Sequence, residues 1–274
     1  MRELLMQRVL PFFLLVLAAG VSNVAAAALG WARGLAFMVG PLGAAILVPI
    51  VAGLGLAVWL VLTRVKGLSR AASGFALDGA ALRELALAAV AAALFLSLAA
   101  LAFSVAGWIQ LSRATTPPSL LALACGLVVF VLDAATQQLV LQGLALATSR
   151  DGRRAWGSLI LAAAVFVLPH LREHTTPLYA LNVFLFGLSS SLLFFRRETP
   201  SWALPIGFHG GWNFAYVFVM GNPFERQDPQ LGLLRWVDRG GLLSGGVDGF
   251  ESGLLNTALV ILVAVAARIR RQPV

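Results

Sequence analysis

Charged residues are scarce in this chain. They make up 12% of its 274 residues, about half the share of an ordinary globular protein. Hydrophobic residues make up 59%, and the mean hydropathy is +0.88. No soluble domain of this length hides so much apolar surface from water, so a soluble enzyme, a disordered chain and a collagen-like fibre are excluded. Cysteine is almost absent: Cys125 stands alone in an apolar run, forms no intramolecular disulfide and reads as packing. The net charge of +8 is not gathered into a basic face with interleaved aromatics, which removes the case for nucleic acid. The ten-residue alternation of a membrane barrel is missing too, as are internal repeats and any soluble domain. A polytopic helical membrane protein remains.

What is present is a series of long apolar runs. A span needs about 20 mainly apolar residues. Eight are expected, at 9–29, 37–62, 82–109, 119–147, 155–171, 177–195, 202–220 and 252–269. Their apolar character runs all round, as lipid-buried helices require. With the N-terminus in the cytoplasm, each inner segment carries at least two Lys or Arg: Arg2 and Arg8; Arg64, Lys66, Arg70 and Arg83; Arg150, Arg153 and Arg154; Arg196 and Arg197; Arg268, Arg270 and Arg271. Most outer segments carry one: Arg33, Arg113 and Arg172, with Arg226, Arg235 and Arg239 in the longest loop. The positive-inside rule then places both termini in the cytoplasm. Arg2, Arg8 and the alanines 25–28 also fit a signal peptide. The run is long for one, and its removal worsens the charge asymmetry, so a span is expected. The outer loop 221–251 reads as a short interfacial helix around Leu233-Leu234-Arg235-Trp236, or as a Gly-rich connector.

Polar side chains at hydrocarbon depth are costly, so each needs a reason. The fourth span has Asp133, Gln137, Gln138 and Gln142; the fifth has His170, with Arg172, Glu173 and His174 at its end; the sixth has Asn182; the seventh has His209 and Asn213. Asp133 and Gln137 share a helix face, as do Gln138 and Gln142, Phe166 and His170, and His209 and Asn213. They are expected to face the bundle interior, either as interhelical hydrogen bonds or as a site. Glu251 reads as a cap on the last span.

Phe166-Val-Leu-Pro-His170 and His209-Gly-Gly-Trp-Asn213 stand in the order and span pattern of the CPBP family, the CAAX endopeptidases and the bacteriocin-processing or Abi proteins, which are glutamate-dependent intramembrane proteases. The chain resembles this family over roughly residues 75–265, with two additional N-terminal spans in 1–74. The resemblance implies an all-α transmembrane bundle forming one membrane domain, 1–274. It also implies a bacterial cytoplasmic-membrane location and a site at Gln137, Gln138, Gln142, His170, His209 and Asn213. The family's first motif is Glu-Glu-x-x-x-Arg-Gly; here the string is Gln137-Gln138-Leu139-Val140-Leu141-Gln142-Gly143. In the family, as the resemblance implies it, the first glutamate and a histidine activate water, while the last His and Asn position that water or hold the oxyanion.

A glutamine takes no proton, and losing a general base typically forfeits about 10²–10⁴ in rate. The three changes replace two negative charges and one positive by neutral amides that can satisfy one another. The expectation is therefore a protease homologue with impaired or lost proteolysis. It would bind a transmembrane or lipidated peptide, or a partner membrane protein, within the bilayer. Alternatives are an active endopeptidase using Asp133, one turn before Gln137, or the His pair; a transporter; and a structural subunit. The string His170-Leu-Arg-Glu173-His174 also fits a zinc pattern, but Pro169 and Pro177 interrupt the helix it needs. No metal and no cofactor is expected.

Overall fold

The computed structural model describes residues 78–115, 117–143, 156–171, 175–197, 200–222, 232–237, 241–246 and 249–268, together with Gly53, Gly74 and Leu146. The first two expected spans lie outside the described residues apart from Gly53. The remaining six each contain a helix. These are α1 (Gly79–Val105), α2 (Leu120–Gln137), α3 (Trp156–Val167), α4 (Pro177–Phe194), α5 (Ala203–Phe214) and α6 (Leu254–Arg268). A short antiparallel pair, β1 (Gln110–Arg113) and β2 (Leu234–Val237), completes the described elements. Helices α1, α2 and α4 are long and apolar enough to cross a membrane, and α3 and α6 are shorter apolar helices. The chain is a helical membrane protein.

Local chemistry sets the helix starts. Asp78 accepts from the Ala81 N–H at 2.8 Å, Ser119 from Ala122 at 3.2 Å, and Thr176 from Tyr179 at 3.2 Å, so each N-cap satisfies a backbone donor that the helix leaves orphaned. Pro177 follows Thr176 at the first helical position, where a missing N–H costs nothing. Two helices do not end cleanly. Helix α2 runs on into a π turn, Gln138–Gln142, with the Gly143 N–H reaching back to the Gln138 carbonyl. Helix α5 continues as a π turn over Ala215–Val219, with the Met220 N–H bonded to the Ala215 carbonyl at 2.9 Å. Helix α3 tightens at Pro169 into a 3-10 turn, Leu168–His170.

Helix α5 occupies the centre, packed against α1, α2 and α4, while α4 also packs on α3 and α6. Glycines make this possible. A Cβ on Gly207 would collide with the Leu85 carbonyl, and one on Gly211 with the Ala89 carbonyl. The two glycines are four apart, and so are their partners, which is the small-residue seam by which membrane helices approach closely. On the α2 side, a Cβ on Gly210 would lie 2.8 Å from Val131 Cα. Helix α1 shows the opposite arrangement away from the seam: Leu87, Leu94, Leu98 and Leu101 are exposed, a surface suited to lipid and not to water. Near the start of α1, the buried Glu84 carboxylate meets Arg197 at 2.7 Å and accepts from the Ser201 hydroxyl at 3.3 Å. This contact ties α1 to the α4–α5 connection.

The interfacial helix expected around Leu233-Leu234-Arg235-Trp236 is not what forms. Residues 234–237 are extended and pair with β1 in the register Gln110↔Val237, Leu111↔Trp236, Ser112↔Arg235 and Arg113↔Leu234. Alternation explains this: Arg235 is exposed while Trp236 is buried, its ring 5.7 Å from that of Phe250. A period-2 pattern with a partner strand satisfies the backbone better than one helical turn. Gly221 lies against β2 at φ 62°, where a side chain would strike the Leu234 carbonyl.

Asn182 makes an interhelical contact, one of the roles expected of the buried polar residues. Asn182 donates to the backbone carbonyls of Glu251 at 2.7 Å and Gly253 at 3.1 Å, and accepts from the Thr257 hydroxyl at 2.6 Å. Glu251 lies in a 3-10 turn, Phe250–Ser252, ahead of α6, so its backbone carbonyl, through Asn182, holds the start of α6 to α4.

The glycine seam yields a direct test. Gly211→Ala should destabilise the protein by about 1–3 kcal/mol or more, because neither facing backbone can yield. Gly157→Ala, whose added carbon would meet nothing within 4 Å, should leave the thermal midpoint in detergent unchanged or raise it.

Candidate functional site

The polar residues of α2 leave the helix in three directions. Gln137 donates from Nε2 to Asp133 Oδ1 at 2.9 Å, one turn back on the same helix. Gln138 reaches α5, where its Nε2 lies 3.2 Å from Nδ1 of His209. Gln142 reaches α4, donating to the Gly187 carbonyl at 2.8 Å. The amides therefore do not satisfy one another, as their neutrality alone had allowed. Each is spent on a different partner, two of them across helix interfaces. Asp133, Gln138 and Gln142 are fully buried. All three amide oxygens, Oε1 of Gln137, Gln138 and Gln142, are buried with no hydrogen-bond partner among the described residues.

Phe166 joins the two histidines. Its ring lies 4.8 Å from that of His170 and 5.7 Å, edge-on, from that of His209. Phe186 on α4 closes the other side of His209 at 5.0 Å, and Trp212 packs on Phe186 at 5.8 Å. Gly187 explains how α4 comes so near. A Cβ there would lie 3.1 Å from Phe166 Cβ, 3.2 Å from Ala163 Cα and 3.2 Å from Gln142 Nε2, so a side chain at this position would crowd the Gln142 amide and the helix behind it.

The two imidazoles have different partners. His170 Nδ1 is 2.7 Å from the Phe166 carbonyl. A carbonyl only accepts, so Nδ1 carries the proton and, in the neutral ring, Nε2 the lone pair. His209 Nδ1 lies 3.2 Å from the side-chain amide of Gln138. His170 is half-buried on the turn after α3, whereas His209 is buried within α5.

The structure brings Gln138, His209, Phe166 and His170 into one cluster, with Gln142 adjoining it through Gly187. Asp133 and Gln137 form their own pair one turn earlier. Asn213 is buried one turn beyond His209, with no hydrogen bond among the described residues. Arg172, Glu173 and His174, the rest of the zinc-like string, lie outside the described residues. Gly187 and Phe186 were not foreseen. A lone glycine in the apolar run Leu185-Phe186-Gly187-Leu188 is the one sequence signal for a close approach there; Phe186 has none.

These features define a helical membrane protein with a buried polar cluster shared by four helices. Residues 118–215 match the family model described as Type II CAAX prenyl endopeptidase Rce1-like. The match takes in Gln137–Gln142, Phe166–His170 and His209–Asn213, and the CAAX-endopeptidase resemblance holds over this segment. No curated protein and no solved structure matches the chain.

The Gln138–His209 contact supports a prediction. Gln138→Leu removes the partner of a buried ring nitrogen and should cost about 1–3 kcal/mol, measured as a lowered thermal midpoint. Gln138→His, which keeps a donor, should recover part of the loss.

Proposed function

We propose that the protein is a CAAX-protease-like intramembrane protein that keeps the family's polar site but hydrolyses peptide bonds poorly or not at all. In this reading it uses the site to bind a transmembrane or lipidated peptide, or a partner membrane protein. The observation that carries the reading is the presence of Gln137, Gln138 and Gln142 where the family's first motif has two glutamates and an arginine. An amide orients water but accepts no proton, so the step that generates the nucleophile lacks its base. The hydrogen bonds support this. Gln138 meets His209 Nδ1 as a neutral amide at 3.2 Å, where a carboxylate would favour an imidazolium. The neutral set is also self-consistent: no charge at these three positions requires a buried counter-ion. The protein is placed, as part of the same proposal, in a bacterial cytoplasmic membrane that it crosses several times with both ends inside.

A second reading rests on Asp133. This carboxylate already holds Gln137 at 2.9 Å, and with His170 presenting a lone pair it would supply a base displaced by one turn, about 6 Å along the axis. So large a displacement costs catalytic alignment, which ranks this reading below the first.

One experiment separates them. The parent, a Gln137→Glu/Gln138→Glu/Gln142→Arg triple variant and Asp133→Asn are purified and given a panel of prenylated and transmembrane peptides. The expected result is cleavage by the triple variant at least 10²-fold above the parent, with Asp133→Asn indistinguishable from the parent. Parent cleavage that disappears in Asp133→Asn or in His170→Ala would overturn the first reading in favour of the second.

A further inference from the structure

The seam between α4 and α5 is bridged at one end by the backbone of a single residue. Asn182 and Phe186 share a face of α4, and His209 and Asn213 share a face of α5, with Tyr216 in the π turn beyond on nearly the same side. Within the seam Phe186 packs on His209. At the end nearest the β1–β2 pair, the turn Phe250–Ser252 lies across it. Asn182 donates to the Glu251 carbonyl at 2.7 Å and to the Gly253 carbonyl at 3.1 Å, and the Tyr216 hydroxyl is hydrogen-bonded to the Glu251 backbone. Glu251 thus joins α4 to α5 about one turn beyond Asn213.

Asn182 carries much of the polar fastening. It spends both side-chain N–H groups there, and its Oδ1 accepts from the Thr257 hydroxyl at 2.6 Å. The buried Phe250 ring adds contacts with Phe103 at 6.4 Å and Trp236 at 5.7 Å. Against these stand polar atoms that the closed turn traps. Ser252 Oγ and Asn256 Oδ1, with Trp236 Nε1 and both amide atoms of Asn222, are buried and have no hydrogen-bond partner among the described residues. Trp236 touches Phe250, and the Asn222 N–H bonds the Tyr216 carbonyl at 3.1 Å, so the unmet atoms gather on the turn and its immediate neighbours. Each has lost water without gaining a bond, an unfavourable exchange that hydration reverses. Gly249, at φ 80°, and Gly253 flank the turn, and small residues so placed absorb the backbone rotation of a hinge.

We propose that the turn Phe250–Ser252 is a gate, latched by Asn182, that opens one end of the α4–α5 seam and admits water and polar solutes toward Asn213 and His209. Opening swings the turn about Gly249 and Gly253, breaks its bonds to Asn182 and hydrates Ser252, Asn256 and their neighbours. Closing reverses each step. The Asn182 bonds and the burial of Phe250 favour the closed state, and the unmet polar atoms favour the open one, so a single short element has two states for a partner or a solute to select between. The gate serves a site that cleaves and a site that only binds alike, and it does not rest on either reading of the polar cluster.

The test uses the full chain in lipid nanodiscs, with the sole cysteine removed by Cys125→Ala and a reporter thiol introduced by Asn213→Cys. A charged thiol reagent that does not enter lipid reads the opening. The expected result is slow labelling in this background, faster by about tenfold or more with Asn182→Leu, which removes the latch, and slower by about threefold or more with Ser252→Ala, which takes an unmet hydroxyl out of the closed state. In a separate variant the reporter is Ala162→Cys, at a fully buried position on α3, and it is expected to stay unlabelled throughout. Acceleration of both reporters by Asn182→Leu is general loosening and overturns the gate. So does a reporter at position 213 that never reacts, or that reacts at one rate whatever stands at positions 182 and 252. Should Asn182→Leu fail to fold, Ser252→Ala decides: labelling that is unchanged or faster overturns the proposal.

Discussion

The backbone contact between α1 and α5 is the constraint on which the rest of the structure depends. Gly207 and Gly211 lie almost on the carbonyls of Leu85 and Ala89, and that proximity fixes the rotation of α5 about its own axis. At about 100° per residue, His209 then points roughly opposite the α1 seam, toward α2, α3 and α4, and Asn213 follows on nearly the same face. Gly210, between the two directions, lets α2 close in at Val131. A helix buried on every side has no lipid face to orient it, so steric exclusion by missing side chains does that work. The polar cluster is a consequence of this packing as much as of its own hydrogen bonds.

Within the cluster, neutrality governs the arrangement. Gln138 and Gln142 cross to α5 and α4 by single amide bonds, which hold three helices together without placing a net charge among them. Ionised groups at the same positions would need mutual pairing to be stable at that depth. An amide brings no charge to neutralise, and each of these places its nitrogen against one partner. Interhelical hydrogen bonding therefore accounts for one end of Gln138 and of Gln142: the nitrogens reach neighbouring helices, and the oxygens have no partner among the described residues.

Much of this was legible in the sequence, and the remainder was not for identifiable reasons. Six of the expected spans contain a helix because apolar character running all round a segment is a local property. The spacing of Phe166 and His170, and of His209 and Asn213, places each pair on one face by simple helix periodicity. The π turns at Gln138–Gln142 and Ala215–Val219 have no such local mark, because an inserted i→i+5 turn answers to packing. The Gly187 carbonyl carries no residue-specific code, so the partner of Gln142 was invisible even though Gln142 itself stood out. The strand at Leu234–Val237 was read as a short helix or a Gly-rich connector because amphipathic four-residue strings are ambiguous, and its pairing with Gln110–Arg113 is a non-local fact.

That pairing has a consequence for how the molecule is made. Gln110–Arg113 leaves the ribosome before any residue of the polar cluster, and Leu234–Val237 after all of them. The two strands cannot join until α2 through α5 have been synthesised, and loop closure over so long a stretch carries an entropic cost that only assembled helices offset. The ribbon therefore acts as a late clasp: when it closes, every residue of the polar cluster has already been made, and the ends of α1 and α5 nearest the strands can no longer drift apart.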